Sequence, residues 1–357
     1  MNKINLLYIF ITSCFLFTCS NNNDIINPDG DTEHEFELHS NNRVSSLLMT
    51  KREYKSWIDN DDFSNAEKRH SLFRDIYKKF PDKYDFIFLI LNENEKPSNI
   101  NYYGKLIGVS NDIEGIGINI YDNSADYGSS GKLKSVMHLP GLNFLKNGPS
   151  LHEIAHNWAN FALETHNVDG SGTGLTSYPY WGHWGFTGGS NRGQLGGFDQ
   201  SSLIENGGGS YTVDPFGPFA NGGNGVPYTE FELYLMGMLP ISSVSNFDMF
   251  TDITSFSKSH EHINGTVSSS YTFSASKTSY SPSSIEDLLG KRNPSYEDSQ
   301  KEFKLLIVVL TDKSLSEDEW TTVDNTAKWF SRKGDDGTYL YNFWEATGGV
   351  GTISIEN

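Results

Sequence analysis

Cysteine is almost missing from this chain. Its 357 residues contain two, Cys14 and Cys19, both within the first twenty positions. That excludes a disulfide scaffold, a thiolate metal site and a cysteine nucleophile from everything beyond residue 19. Positive charge is scarce as well: 27 Lys and Arg stand against 45 Asp and Glu, a formal net charge of -18. A chain this acidic offers no electrostatic footprint for nucleic acid, and nucleic-acid partners are excluded. Long apolar runs are missing too. None beyond the N-terminus reaches the roughly 18 residues that a membrane-spanning helix needs. Glycine is plentiful, with 34 residues, but follows no period, so a collagen-like chain is excluded. The remaining composition, 36% hydrophobic and 13% aromatic, is core-forming and long enough for one large domain or two medium ones.

The chain opens MNKINLLYIFITSCFLFTCS, with Lys3 ahead of an apolar stretch from Leu6 to Phe17. About 12 apolar residues are too few for a bilayer span and suit a secretory signal. Leu16-Phe17-Thr18-Cys19 resembles a bacterial lipoprotein signal, departing from it at Thr18, where Gly, Ala or Ser is preferred. The resemblance implies cleavage after residue 18 and a lipid on Cys19. Ser20 in the next position, rather than Asp, implies an outer membrane. The polar stretch that follows, punctuated by Pro28 and Gly30, predicts a flexible tether. The expected organisation is a signal peptide over 1–18, a tether over 19–31 and a single body over 32–357. Within that body a small N-terminal subdomain over 32–82 is possible. Membrane contact is expected through Cys19 only, at a bacterial cell envelope or cell surface, and the expected state is a monomer.

Periodicity predicts a mixed α/β body. Residues 36–49 read as strand or edge material. Ser64–Phe80 has helical spacing, with Leu72, Phe73, Ile76 and Phe80 on one side and Pro81 as its stop. DFIFLILN at 85–92, GIGINIY at 115–121, KLKSVMHL at 132–139 and FKLLIVVLT at 303–311 read as strands. A helix is predicted from Pro149-Ser150 to Leu163, with Trp158, Phe161 and Ala162 on its buried face. Residues 170–225 hold 17 of the 34 glycines among scattered aromatics and read as an ordered loop along a cleft. Tyr178, Tyr180, Trp181, Trp184, Phe186 and Phe198 lie in it; the loop's core is the better reading of the tryptophans than a substrate wall. Short helices are expected over Thr229–Met238 and Tyr339–Ala346, a hairpin within 248–284, and a capped helix from Ser316 with Glu319 closing the cap.

The chemistry is carried by His152-Glu153-Ile154-Ala155-His156. On a helix, residues i and i+4 project to one side, so His152 and His156 can offer two imidazole nitrogens to one Zn2+. Glu153, beside a ligand, can take the proton of a zinc-bound water as general base. Zinc in a hydrolase usually takes a third protein ligand. Ala159 and Ala162 stand where a metzincin would have Gly and His, so that pattern fails. Four residues compete. His183 sits between aromatics in the glycine-rich loop, which can fold back over the helix. His166 lies 10 residues beyond His156. Glu232 and Glu230 lie in the short helix expected over Thr229–Met238, and a thermolysin-like site takes its third ligand as Glu from a second helix. Thr229 and Glu232 have capping-box spacing, and that ordinary role for Glu232 favours His183. Met236 reads either as a base under the metal or as core. Asp169, Asp199 and Asp214 are candidate partners for the far nitrogens of the histidines. Tyr228, Tyr180 or an unligated His183 are candidate donors to the reacting oxygen.

HEIAHNW at 152–158, GHW at 182–184, Gly188-Gly189 and YTEFELYLMGMLP at 228–240 together resemble a group of bacterial secreted zinc-metallopeptidase-like proteins. In that group H-E-[LI]-[GA]-H is followed by a His-Trp pair and by a segment like YSPLDLYLMGL-x-P. The C-terminal FWEATGGVGT at 343–352 is similar too. The resemblance spans roughly residues 84–353. It departs at Thr229-Glu230-Phe231-Glu232 and in the glycine-rich segment after Trp184. It implies a zincin-like α/β (α+β) peptidase fold, a mixed sheet packed on an active-site helix; for a lipid-anchored secreted peptidase the expected substrates are extracellular or envelope proteins and peptides, glycoproteins included. Two other readings stay open: a non-catalytic surface lipoprotein of the same fold that binds peptide or glycan, and a zinc amidase acting on cell-wall peptides.

Overall fold

Two uninterrupted apolar runs form the middle of the main sheet. The structure is a computed structural model that describes residues 34–163, 182–263 and 266–357, which form one unit. The signal, tether and Cys19 lie outside the described residues, as do His166, Asp169, Tyr178, Tyr180 and Trp181. The first half of the chain contains β1 (Glu35–Leu38), β2 (Val44–Leu48), α1 (Lys51–Asp59), α2 (Ala66–Lys79), β3 (Phe86–Leu91), β4 (Lys105–Gly108), β5 (Ser110–Asn111), β6 (Tyr121–Asp122), α3 (Ser124–Tyr127), β7 (Ser135–Leu139), α4 (Phe144–Asn147) and α5 (Ser150–Ala155). The second half contains β8 (Gly185–Gly189), β9 (Gly196–Asp199), β10 (Ile204–Gly207), β11 (Ser210–Val213), α6 (Glu230–Leu235), β12 (Phe247–Ile263), β13 (Thr266–Tyr280), α7 (Pro282–Leu289), β14 (Glu302–Thr311), α8 (Glu317–Phe330), α9 (Phe343–Ala346) and β15 (Thr352–Ile355).

The main sheet runs β1-β2-β14-β3-β7-β4, with β15 also paired to β14. Pairings of β14 with β2, β3 and β15, and of β3 with β7, are parallel. The two outer pairs, β1 with β2 and β4 with β7, are antiparallel. Every residue of β3 is buried because both faces of the strand are covered. Phe86, Phe88 and Ile90 point into the core shared with α5, α6 and α8, while Ile87, Leu89 and Leu91 point into the core under α1 and α2. A parallel strand covered on both sides reads as a continuous apolar run rather than an alternation. Complete burial of each such side chain contributes about 1.5–3 kcal/mol.

The second sheet runs β10-β11-β13-β12-β8-β9 over its own aromatic core, which includes Phe186, Phe198, Phe250 and Phe273. Part of the region expected to be a loop, 170–225, is therefore strand: β8 to β11 form both edges of this sheet. Glycine hid them: Gly185, Gly196 and Gly197 have positive φ, and a Cβ at Gly188 would collide with Gln200 Oε1. Trp184, Phe186 and Phe198 are core residues.

Three further expectations are corrected. Of residues 115–121 only Tyr121 is in a strand, because Gly115 and Gly117 have φ of +74° and +77°. Gly117 instead lies directly against the Ala162 backbone. The helix expected to reach Leu163 ends after Ala155. Bonds tighten to the i→i+3 type from Asn157 N to Ile154 O and from Trp158 N to Ala155 O, and Phe161 has φ of +56°. That bend leaves Trp158 and Ala162 buried but turns Phe161 outward, 53% exposed. The last short helix is confined to Phe343–Ala346. No helix among the described residues is long and apolar enough to cross a membrane.

Candidate metal centre

Helix α5 is too short to hold itself, and its N-terminal residue, Pro149, supplies no side-chain cap. Asn224 does so from 73 residues away. Its Oδ1 accepts from Leu151 N at 3.0 Å, and its Nδ2 donates to the carbonyls of Leu145 and Lys146 at 3.0 and 2.9 Å. The Tyr228 hydroxyl donates to Leu151 O at 2.8 Å. Tyr228 is thereby part of the helix's support rather than a donor to a reacting group.

The fixed helix places His152 and His156 on one side, four residues apart, with His156 at its C-terminal cap. Gly182 turns at φ +76°, and the absence of a side chain lets Asn160 lie against it. The next residue, His183, then comes back over α5. The Nε2 atoms of His152 and His156 are 3.2 Å apart, and those of His152 and His183 are 3.3 Å apart. All three histidines offer nitrogens within 4.8 Å of one another. The His152 and His183 rings are stacked, 19° from parallel, and His156 stands edge-on to both.

Hydrogen bonds at the far side of two rings fix which nitrogens carry protons. His152 Nδ1 donates to the Gln194 carbonyl at 2.6 Å, and His156 Nδ1 donates to Asn160 Oδ1 at 2.6 Å. In the neutral tautomers both Nε2 atoms are then bare lone pairs facing each other. Two lone pairs at that distance repel unless a cation lies between them. Zn–N bonds of about 2.0–2.1 Å at tetrahedral angles put neighbouring ligand nitrogens about 3.3–3.4 Å apart. Burial lowers the pKa of all three histidines. It brings His152 to about 4, with the Gln194 carbonyl opposing, and His183 to about 3, with His152 adding to the fall; His156 also falls well below its usual value. The neutral imidazole they favour is the ligating form. His183 Nδ1 is buried without a hydrogen-bond partner among the described residues.

Glu153 is buried beside this cluster. Burial pushes its pKa up to about 8, while the Leu106 backbone N–H and the Lys105 ammonium pull it back. Its side chain fills the space over Gly104, just before β4. No described strand pairs with the outer edge of β4.

Glu232 does not join the three histidines. It is fully buried, and its two oxygens accept four N–H groups: Trp184 Nε1 at 2.9 Å and Leu195 N at 2.9 Å on Oε1, Thr229 N at 2.8 Å and Gln194 N at 3.2 Å on Oε2. Thr229 and Glu232 form the capping box of α6. Burial raises the Glu232 pKa and the four donors oppose that; because every partner is a donor, the bonding pattern is that of the carboxylate. Glu230 is half-buried and accepts from Ser245 N at 2.7 Å. Met236 lies in the core cluster. Asp199 accepts from Ser201 N, and Asp214 is exposed, so neither serves a histidine. A backbone carbonyl and Asn160 take that role instead. Asn160 was legible in principle, since it stands four residues beyond His156. The carbonyl of Gln194 was not, since every residue has one. No family model matches this chain, and no curated protein or solved structure is significantly similar to it.

Proposed function

We propose that this chain is a zinc-dependent endopeptidase of the zincin type, lipid-anchored through Cys19 at a bacterial cell envelope, that hydrolyses peptide bonds of extracellular or envelope proteins. The observation that carries the reading is the meeting of three imidazoles, two with bare Nε2 atoms 3.2 Å apart, beside the buried carboxylate of Glu153. An all-imidazole donor set suits Zn2+, and His152, His156 and His183 would hold it. Zinc bound there would supply a water of lowered pKa and polarise the scissile carbonyl.

Glu153 would accept a proton from that water and return it to the leaving amine. A purely structural site has no use for a buried carboxylate at this position, and that favours catalysis over binding. The outer edge of β4 supports the choice of an extended peptide as substrate, because an extended chain can add to it as a further strand. Tyr103, Phe161 and Phe219 are exposed on segments bordering the centre, with Phe219 edge-on to His183 at 5.5 Å. They favour substrates with apolar side chains on either side of the cleaved bond.

The test is metal analysis of the 32–357 body together with peptide-library cleavage. Wild type should carry stoichiometric zinc and cleave peptides. His183→Ala should lose the metal, and Glu153→Gln should keep it and lose cleavage. A wild type that takes up no metal when zinc is supplied sinks the proposal. Zinc with hydrolysis of cell-wall peptides alone would make the protein an amidase, and zinc without hydrolysis would make it a binding protein.

A further inference from the structure

We infer that Glu232 is a positioning residue of the metal centre, acting on His152 through the peptide group between Gln194 and Leu195 and on His183 through Trp184. The inference rests on the zinc reading above. One end of that peptide group, Leu195 N–H, donates to Glu232 Oε1 at 2.9 Å. The other end, Gln194 C=O, accepts from His152 Nδ1 at 2.6 Å. A carboxylate, a peptide and an imidazole therefore form one hydrogen-bonded line, and the bare Nε2 of His152 is at its far end. Zinc histidines commonly donate their second nitrogen to a carboxylate, which fixes the ring and raises its basicity as a ligand. Here a peptide dipole is interposed, and aligned hydrogen bonds polarise one another in the same direction.

Capping alone does not account for this side chain. A capping box needs only the bond to Thr229 N. The other three bonds reach residues 37 to 48 positions away, among them the indole of Trp184, next to His183. The approach is also built for it. A Cβ at Gly193 would come within 2.9 Å of Glu232 Oε1, so glycine there lets the Gln194–Leu195 peptide reach the carboxylate. Glu232 is fully buried with all four bonds satisfied, so the peptide has no freedom to turn its carbonyl away from His152.

The capping box of α8, Ser316 with Glu319, supplies the control, because it has the same local motif on a different helix. The full chain is prepared as wild type, Glu232→Gln, Glu319→Gln and Trp184→Phe. Zn2+ affinity is read by competition with a chelating dye, Co2+ by its visible absorption, and the apo fold by circular dichroism. Glutamine turns one carboxylate oxygen into a donor facing N–H groups. Glu232→Gln should therefore bind Zn2+ about 10–100-fold more weakly and change the Co2+ spectrum. Glu319→Gln should lower the melting temperature and leave both readouts unchanged. A folded Glu232→Gln with wild-type affinity and spectrum would overturn the inference and reduce Glu232 to a cap, with the zinc reading intact. A wild type that binds neither ion would overturn both. If Glu232→Gln does not fold, Trp184→Phe decides: it removes the indole N–H donor to Glu232 and keeps an aromatic side chain in the core, and unchanged Zn2+ affinity there would overturn the inference.

Discussion

Gly104 and Glu153 occupy one space: a Cβ on Gly104 would lie 2.6 Å from Glu153 Cγ. The contact joins the chain entering the edge strand β4 to the buried carboxylate next to His152. A methyl group there must push the Glu153 side chain aside, because Pro149 closes the other direction at 3.0 Å. Gly104→Ala should therefore keep its zinc, since no ligand moves. Its hydrolysis should fall by roughly 10–100-fold, because a misplacement of about 1 Å in a reacting group costs that much. Metal content and cleavage rate measured on the same sample separate the two. Full activity in this variant would show that Glu153 is not held against Gly104 during the reaction.

Asn160 should matter chiefly through His156. Its Oδ1 takes the His156 Nδ1 proton at 2.6 Å and fixes the bare Nε2 toward the other two rings. Asn160→Ala frees that ring to turn or to change tautomer. The expected result is zinc affinity weakened by about 10–100-fold with little change in apo stability, since Asn160 is only half-buried. Asn160→Asp should recover most of the affinity, because it still accepts that proton. Dye competition on both variants is the measurement, and equal losses for Ala and Asp would contradict the assignment.

Asn224 carries stability rather than chemistry. Four bonds from one buried amide hold the end of α4 and the start of α5. Asn224→Ala takes the partner from Leu151 N and from the Lys146 carbonyl, while the Leu145 carbonyl keeps the Ser150 hydroxyl. It should cost about 2–4 kcal/mol, read as a lower denaturation midpoint at unchanged slope. Asn224→Asp should be nearly as damaging, because it replaces the donor facing the two carbonyls with an anion.

How much of this was legible depends on how local each cause is. The i, i+4 spacing of His152 and His156 is local and survives even though the helix ends at Ala155. The capping boxes at Thr229 and Ser316 are local as well. β3 and β14 were readable because burial on both faces leaves an unbroken apolar run. The glycine-rich strands β8 and β9 carry no such pattern; tertiary crowding rather than side-chain alternation defines them. The supports of the centre were the least legible. Gln194 contributes only a backbone carbonyl, and Asn224 acts across 73 residues. Glu232 showed its capping role in the sequence, whereas its bonds to Trp184, Gln194 and Leu195 depend on how the chain closes on itself.

The first described residue, His34, should make stability depend on pH. Its Nδ1 lies 2.8 Å from Asp75 and its Nε2 2.8 Å from Glu53, which ties the start of the body to α1 and α2. Burial alone would lower its pKa, but the two carboxylates outweigh burial and raise it. Lys78, bonded to the other oxygen of Asp75, is the opposing cation. A raised folded-state pKa means that protonation favours the folded chain. The stabilisation is complete below the unfolded histidine value of about 6.5, as long as the carboxylates stay ionised, and is lost as pH rises through the folded value. His34→Ala should therefore cost about 1–3 kcal/mol near pH 5.5 and clearly less near pH 9. Denaturant midpoints of wild type and variant at both values check the sign. A larger loss at pH 9 would mean that the neutral ring, not the imidazolium, makes these two contacts.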